Sequence, residues 1–214
     1  RKDMKPVELV GTTIPHEIIS KHGPEKTCFY MEEIINYAER RMRSRIRDLP
    51  GGVFSFEDFL EGDGISEDRM KIAVTLTIDE DRVRVDFTGT DKQAKGSVNS
   101  TRAVTLACVY FALKSVIDPE LPSSEGSSRP VEVITPAGTL VNPEFPAPVS
   151  NANINTSQRI ADVVLGALAK ESYRKLEEYS TTLEDKVQMR TEELNRSLNE
   201  TAEARDRIDG ILKS

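Results

Sequence analysis

Histidine and cysteine are scarce in this 214-residue sequence, which has two of each and no tryptophan. Cys28 and Cys108 are too few for a disulfide framework or a zinc knuckle, and because both lie in segments that look helical we predict plain buried thiols. His16 and His22 stand in a polar stretch before the first clear helix, where exposed loop histidines are the expectation. The sequence therefore predicts no metal site of its own.

Long apolar runs and clusters of positive charge are also missing. No run approaches the roughly 18 apolar residues that would span a bilayer, and the start "RKDMKPVELV" lacks the apolar core of a signal peptide. A net charge of −7 and a pI near 5.1 argue against nucleic acid and anionic membranes as partners. We expect a cytoplasmic protein. The absent initiator Met suggests a piece of a larger protein.

Proline and glycine nearly disappear from the last third of the chain. All eleven prolines lie at or before Pro148, and ten of the twelve glycines lie at or before Gly138. This shift predicts a domain over residues 1–154 and a long helix over residues 155–214, with 155–170 packed on the domain and 171–214 forming a coiled coil.

Helical and strand patterns alternate in the first domain. A helix is predicted from Tyr30 until Pro50-Gly51-Gly52 stops it, with Met31, Ile34, Ile35, Ala38, Met42 and Ile46 on one face. "MKIAVTLTI" and "RVRVDFTGT" alternate as a β-hairpin, and "FSFEDF" and "VEVIT" are further strands. "NSTRAVTLACVYFALKSVI" predicts a buried helix capped by Asn99 or Ser100. The fold class is α+β, an antiparallel sheet with helices on one face.

The C-terminal segment has the apolar spacing of a coiled coil. Pairs of apolar residues four positions apart recur along it. One insertion of four residues in the heptad pattern, a stutter, locally unwinds the supercoil. Thr201 and Arg205 occupy positions of the seam and weaken it. We predict a parallel homodimer whose helix is capped by Asn155 or Thr156. Its seam residues are Leu176, Leu183, Val187, Leu194, Leu198, Ile208 and Leu212.

No catalytic motif can be recognised from the chemistry of the residues alone. Three polar clusters are candidates for substrate contacts, and their other interpretation is as turns, caps and salt links. One surrounds a strand-to-helix turn, one borders a flexible loop, and one leads into a helix N-terminus that could bind an anion. The candidate residues are Asp86, Thr88, Asn99, Arg102, Arg129, Asn153, Thr156 and Arg159.

Three ordered segments carry a resemblance to a known family. "LPGGVFSFEDFLEGDG", "VRVDFTGTDKQAKGSVNSTRAVTLACVYFALKSVIDPELP" and "RPVEVITPAGTLVNPEFPAPVSNANINTSQRIADVVLGALAK" resemble an internal portion of the hydantoinase B family, over residues 30–170. That family includes 5-oxoprolinase and acetone carboxylase subunits. The resemblance implies a parent hydrolase or carboxylase that opens cyclic amides or carboxylates ketones, with an ATP-hydrolysing hydantoinase A-like partner and a divalent metal.

The same resemblance implies that this chain is not catalytic alone. The metal motifs of the family lie N-terminal to the matched portion, so we expect no cofactor in this fragment. Residues 171–214 resemble the signalling-helix coiled coil of bacterial sensor histidine kinases, which leaves two alternatives open. The domain could be the regulatory head of a signal-transduction protein, or the junction at residues 170/171 could be an engineered fusion.

Overall fold

The computed structural model describes residues 13–170, 182–183 and 186–192 of the chain. Within this part, two helices, α1 (Thr13–His22) and α2 (Pro24–Arg47), precede three strands, β1 (Gly52–Leu60), β2 (Met70–Asp79) and β3 (Arg82–Asp86). Helix α3 (Arg102–Ile117), the single turn α4 (Glu125–Ser128) and strand β4 (Val131–Ile134) follow. A π-helical turn, Ala152–Thr156, leads into α5, which is helical over residues 157–170. No described helix is both long and apolar enough to cross a membrane.

The sheet is mixed, with strand order β1-β2-β3-β4. The predicted strands all form, and β1, β2 and β3 pair antiparallel as successive hairpins. The prediction of an antiparallel sheet is wrong at its last strand, since β4 runs parallel to β3. The reason is the intervening α3, which returns the chain to the end of the sheet from which β3 began, so that the next strand points the same way.

The core lies on one face of this sheet. The predicted alternation is confirmed in β2, where Ile72, Val74, Leu76 and Ile78 are buried while the residues between them are half-exposed. Ala38, Met42 and Ile46 of α2 pack in the same cluster, with the buried faces of α3 and α5. The outer face of the sheet is polar, and the Ser55 and Thr75 hydroxyls hydrogen-bond there across β1 and β2.

Helix α2 ties several elements together through its arginines. The Arg41 guanidinium donates two hydrogen bonds, of 2.5 and 2.8 Å, to the buried Asp118 carboxylate at the end of α3. Arg43 contacts Glu39 on its own helix and Asp81 in the β2–β3 turn. Asp118 raises the pKa of Arg41 by accepting these bonds, so the guanidinium stays charged.

Several local predictions are wrong in detail. Thr101 rather than Asn99 or Ser100 caps α3, because its side chain accepts from Val104 N. The α3 helix is buried on one side only, and Phe111 is 64% exposed. Cys28 is exposed on α2 and Cys108 is half-buried on α3. The histidines lie on α1, not in a loop.

The second compact unit, residues 169–214, is described only in part. Residues 182–183 and 186–192 are helical, and Leu183 and Val187 on them are exposed. The other predicted seam residues lie outside the described residues, namely Leu176, Leu194, Leu198, Ile208 and Leu212. The parallel coiled-coil dimer stays a prediction.

Candidate functional site

A polar cavity of about 670 Å³ opens between the end of β1 and the beginning of α5. One wall is the end of β1 with the loop that follows it, and the other is the first turn and a half of α5 together with Asn155 of the preceding π-helical turn. The lining residues are Leu60, Glu61, Gly62, Gly64, Ile65, Ser66, Glu67, Asn155, Gln158, Arg159 and Asp162.

The loop wall is held in shape by Asp63. Its buried carboxylate accepts hydrogen bonds of 2.8 Å from the backbone N–H groups of Ile65, Ser66 and Gly96. These bonds, led by that from Ser66, lower the pKa of Asp63, so the carboxylate is ionised at neutral pH. Gly64 has φ +84°, a left-handed conformation that glycine adopts without strain. The ionised Asp63 carboxylate therefore fixes the conformation of the loop, and this conformation does not depend on a ligand.

Arg159 is the central cation of the helical wall. Its Nη1 donates to Asp58 Oδ2 at 2.5 Å and lies 3.9 Å from Asp162 Oδ2. Its Nε is buried without a partner among the described residues. No hydrogen bond of its Nη2 group is found within the described part of the chain, and the Arg159 side chain lines the cavity. One edge of the guanidinium is therefore free to donate to a ligand carbonyl.

Asp58 stays ionised beside this guanidinium. Its partial burial raises the pKa, but hydrogen bonds from Phe59 N and from Arg159 oppose that effect, and the pKa lies below its usual range. The carboxylate orients Arg159 across the interface between β1 and α5. Residues 58 and 159 thus form a fixed pair, whereas Asp162 is more exposed and binds the guanidinium only loosely.

The remaining lining groups include both donors and acceptors of hydrogen bonds. Asn155 and Gln158 present exposed carboxamides, and Asp162 presents a carboxylate. The Ser66 hydroxyl donates to Asp68 at 2.7 Å, and neither His nor Cys is among the lining residues of this cavity. The described lining therefore offers both donors and acceptors to a polar ligand.

Two of the eight predicted site residues have structural roles. Asn99 is fully buried, with Nδ2 donating to three backbone carbonyls and Oδ1 accepting from Ala94 N at 2.7 Å. The Thr156 hydroxyl donates to the carbonyl of Val98. Asn155 and Thr156 both lie inside the π-helical turn that runs into α5, and Thr156 bonds a distant loop, so the prediction that one of them caps the helix is wrong.

Five other candidates lie away from the cavity. Asp86 accepts from Thr88 N in a local turn at the end of β3. Arg129 precedes β4 and binds Glu39 of α2 at 3.0 Å, and its hydrogen bond helps to lower the pKa of Glu39. Arg102 is exposed at the start of α3, and Asn153 lines a separate apolar groove beside that helix. The structure therefore does not bring the eight candidates together, and only Arg159 lines the polar cavity.

Sequence reasoning missed Asp58, Gln158 and Asp162. A signal for Asp58 existed, because it occupies an inward position of β1 in line with Phe54 and Leu60, where a charge needs a partner. The partner could not be identified, since Arg159 is about a hundred positions away along the chain. Asp162 stands three residues after Arg159, a spacing that places both on one helix face.

The metal that the resemblance implied for parent enzymes finds no ligand set here. Across the described residues, no three His, Cys, Asp or Glu side chains are grouped so that they could hold a metal ion. The polar cavity carries the carboxylates of Glu61, Glu67 and Asp162, and the Arg159 guanidinium lies 3.9 Å from that of Asp162. No step of a reaction is assigned to a metal in this part of the chain.

The sequence profile described as Hydantoinase B/oxoprolinase matches residues 9–197. The match crosses the junction predicted at residues 170/171, and the resemblance of residues 171–214 to sensor histidine kinases has no support. A protein of unassigned function from Methanocaldococcus jannaschii is 38% identical over 155 residues, which is 72% of this chain and 27% of that protein. A putative D-/L-hydantoinase subunit from a Pseudomonas species is 35% identical, over 72% of this chain and 28% of its own.

A solved structure shows the same fold in a larger protein. The ATP-dependent caprolactamase from Pseudomonas jessenii matches with a TM-score of 0.66 and 27% identity, over 72% of this chain and 27% of that chain. The chain thus spans a little over a quarter of the length of each of these three proteins.

Proposed function

Because the chain belongs to the hydantoinase B/oxoprolinase family, we propose that it acts within an ATP-dependent enzyme that opens cyclic amides. In this proposal the polar cavity beside Arg159 holds the amide of the ring. An ATP-hydrolysing partner subunit supplies the free energy that ring opening requires. The names of two relatives support this, since hydantoin and caprolactam are both cyclic amides and one of the enzymes is called ATP-dependent.

The observation that carries the proposal is the free Nη2 edge of Arg159 in a cavity with hydrogen-bond acceptors. A ring amide presents its C=O and N–H on the same side, so its binding site needs a donor and an acceptor close together. Arg159 provides the donor, and Asp162 or the Gln158 carboxamide oxygen provides the acceptor. A ketone has no N–H to offer, and these acceptors therefore favour an amide substrate over a ketone.

The reaction itself adds water across the C–N bond of the ring. The hydroxyl joins the carbonyl carbon, and the ring nitrogen gains a proton as it leaves. We infer that the groups which activate water and bind the nucleotide belong to the segments of the family fold outside this chain, and to the partner. Residues 13–170 then bind and orient the ring, and alone they do not catalyse its opening.

The test is an assay of the full-length protein together with an ATP-hydrolysing subunit. Hydantoin, 5-oxoproline and caprolactam are each supplied with ATP, and both ADP and the ring-opened product are measured. Replacing Gln158 by Ala should raise KM about tenfold with little change in kcat, since one hydrogen bond to the ring is lost. Arg159→Lys should raise KM more, because the forked guanidinium cannot be replaced by an ammonium group.

The matched control is Arg84→Lys, on the outer face of the sheet. Arg84 is exposed, lies outside the polar cavity and makes only a long contact of 3.9 Å with Glu132, so its replacement should leave KM and kcat unchanged. The proposal fails if none of the three cyclic amides is opened with ATP. The assignment of the cavity fails separately if turnover occurs but Gln158→Ala and Arg84→Lys behave alike.

A further inference from the structure

A groove of about 470 Å³ lies along α1 and the first half of α2. Its walls are almost entirely apolar, and two basic side chains stand at its edge. The residues that line it include Ile18, His22, Lys26, Tyr30, Met31 and Ile34. The polar cavity is formed by other elements, so the groove belongs to a different surface of the protein.

The two halves of α2 differ in how they use their apolar side chains. In the second half, Ala38, Met42 and Ile46 are at most 1% exposed in the core. In the first half, Tyr30 is 53% exposed and Ile34 is 52% exposed, although they continue the same helix. Contiguous large apolar side chains left in solvent are typical of an interaction surface, because burying them there is favourable.

The charge of the groove is opposite to that of the chain. Lys26 and His22 line it and no carboxylate does, whereas the whole chain carries a net charge of −7. The Lys26 ammonium lies 5.9 Å from the centre of the Tyr30 ring, and it has no carboxylate partner in the described part of the chain. A partner that places a carboxylate beside Lys26 would therefore complement both the charge and the apolar wall.

We propose that this groove is the docking site for an amphipathic helix with an acidic flank, contributed by the ATP-hydrolysing partner subunit. The proposal rests on the function proposed above, which requires such a subunit. From Lys26 to Ile34 the groove follows about 12 Å of helix, so it accommodates about two turns of a docked helix. Apolar side chains at positions i, i+3 or i+4, and i+7 of that helix would fill it.

The experiment uses titration calorimetry to measure how tightly the full-length protein binds its ATP-hydrolysing partner. Ile34→Asp should weaken binding at least tenfold, since it places a charge in the apolar wall. Lys26→Glu should weaken binding about as much at low salt and less at high salt, because the lost contact is between charges. Phe111→Asp is the matched control, since this exposed aromatic residue of α3 lies outside the groove, and it should bind like the wild type.

Thiol labelling gives a second readout that needs no substitution. Cys28 is exposed and lies one helical turn from Met31, so formation of the complex should slow its alkylation at least tenfold. Cys108 on α3 should react at the same rate with and without the partner.

Three results would overturn the proposal. Unchanged affinity in both groove variants would show that the partner binds elsewhere. A self-associated wild type that Ile34→Asp converts to a monomer would identify a second copy as the occupant. A large loss of thermal stability in Ile34→Asp without the partner would show that the same chain covers the groove.

If the wild-type pair turns over substrate while groove variants bind normally, only this inference fails. If no complex and no turnover are seen, the proposed function fails.

Discussion

Replacing Asn99 by Ala tests whether this residue supports the fold or binds a substrate. The Asn99 side chain is fully buried and makes four hydrogen bonds, all to backbone groups. Its Nδ2 has two protons for the carbonyls of Ala94, Gly96 and Pro148, so these three acceptors share them. The side chain therefore joins the turn before α3 to the segment that leads into α5.

The cost of this substitution follows from the groups that it leaves without partners. A buried polar group that loses its partner costs about 1 to 3 kcal/mol, and a partly hydrated one costs less. The contact with Gly96 is buried and the other three are partly buried, so we expect a loss of about 3 kcal/mol in the free energy of unfolding. For a chain of this size, that loss lowers the melting temperature by roughly 10 °C.

The measurement is urea unfolding of the chain followed by circular dichroism. The Asn99→Asp variant keeps the shape of the side chain but turns a carboxylate toward three carbonyl oxygens. At neutral pH it should lose at least as much unfolding free energy as Asn99→Ala. Asn153→Ala is the matched control, because that residue is exposed. If the unfolding free energy of Asn99→Ala lies within 1 kcal/mol of that of the control, the structural role of Asn99 is refuted. A stable Asn99→Ala protein that loses substrate binding would restore the substrate role that the sequence suggested.

Three further predictions concern packing, acid stability and assembly. Gly126→Ala should lower the melting temperature clearly, since a Cβ there would overlap the carbonyl oxygen of Ile35, whereas Gly51→Ala, with its nearest contact at 3.4 Å, should be nearly neutral. Because its hydrogen bonds lower the pKa of Asp63 in the folded state, its stabilising contribution is present at neutral pH and is lost as pH falls through that lowered pKa. Asp63→Asn should therefore flatten the acid limb of a plot of unfolding free energy against pH, and an unchanged limb would contradict this. If the predicted coiled coil forms, light scattering should show a dimer that Leu183→Asp converts to a monomer; a wild-type monomer at micromolar concentration would refute it.

The strands could be predicted because their signal is local. The alternation of Ile72, Val74, Leu76 and Ile78 against polar neighbours fixes both the strand and its buried face. The direction of β4 could not be predicted in this way. Strand β4 is only four residues long, and most of its residues are half-buried. It pairs with β3 through backbone groups, whose direction the sequence does not indicate.

The candidate site was predicted only in part for a similar reason. A polar residue near a turn can contact a substrate, or it can hydrogen-bond to the backbone and support the fold. The spacing of such residues in the sequence does not distinguish the two roles. Arg159 lines the polar cavity, whereas Asn99 and Thr156 hold backbone segments together. What separates them is burial and partner identity, which depend on contacts between residues far apart in sequence.

The parallel pairing of β3 and β4 has a consequence for the order of folding. Strands β1, β2 and β3 are joined by short connections, so their hairpins can form early at small entropic cost. Strand β4 can align with β3 only after residues 87–130, including α3, have collapsed onto the sheet. We therefore expect amide protons of β2 to gain protection from exchange before those of β4 during refolding. The edge at β4, with the α2–Arg129 contact beside it, should be the last part of the sheet to form and the first to open.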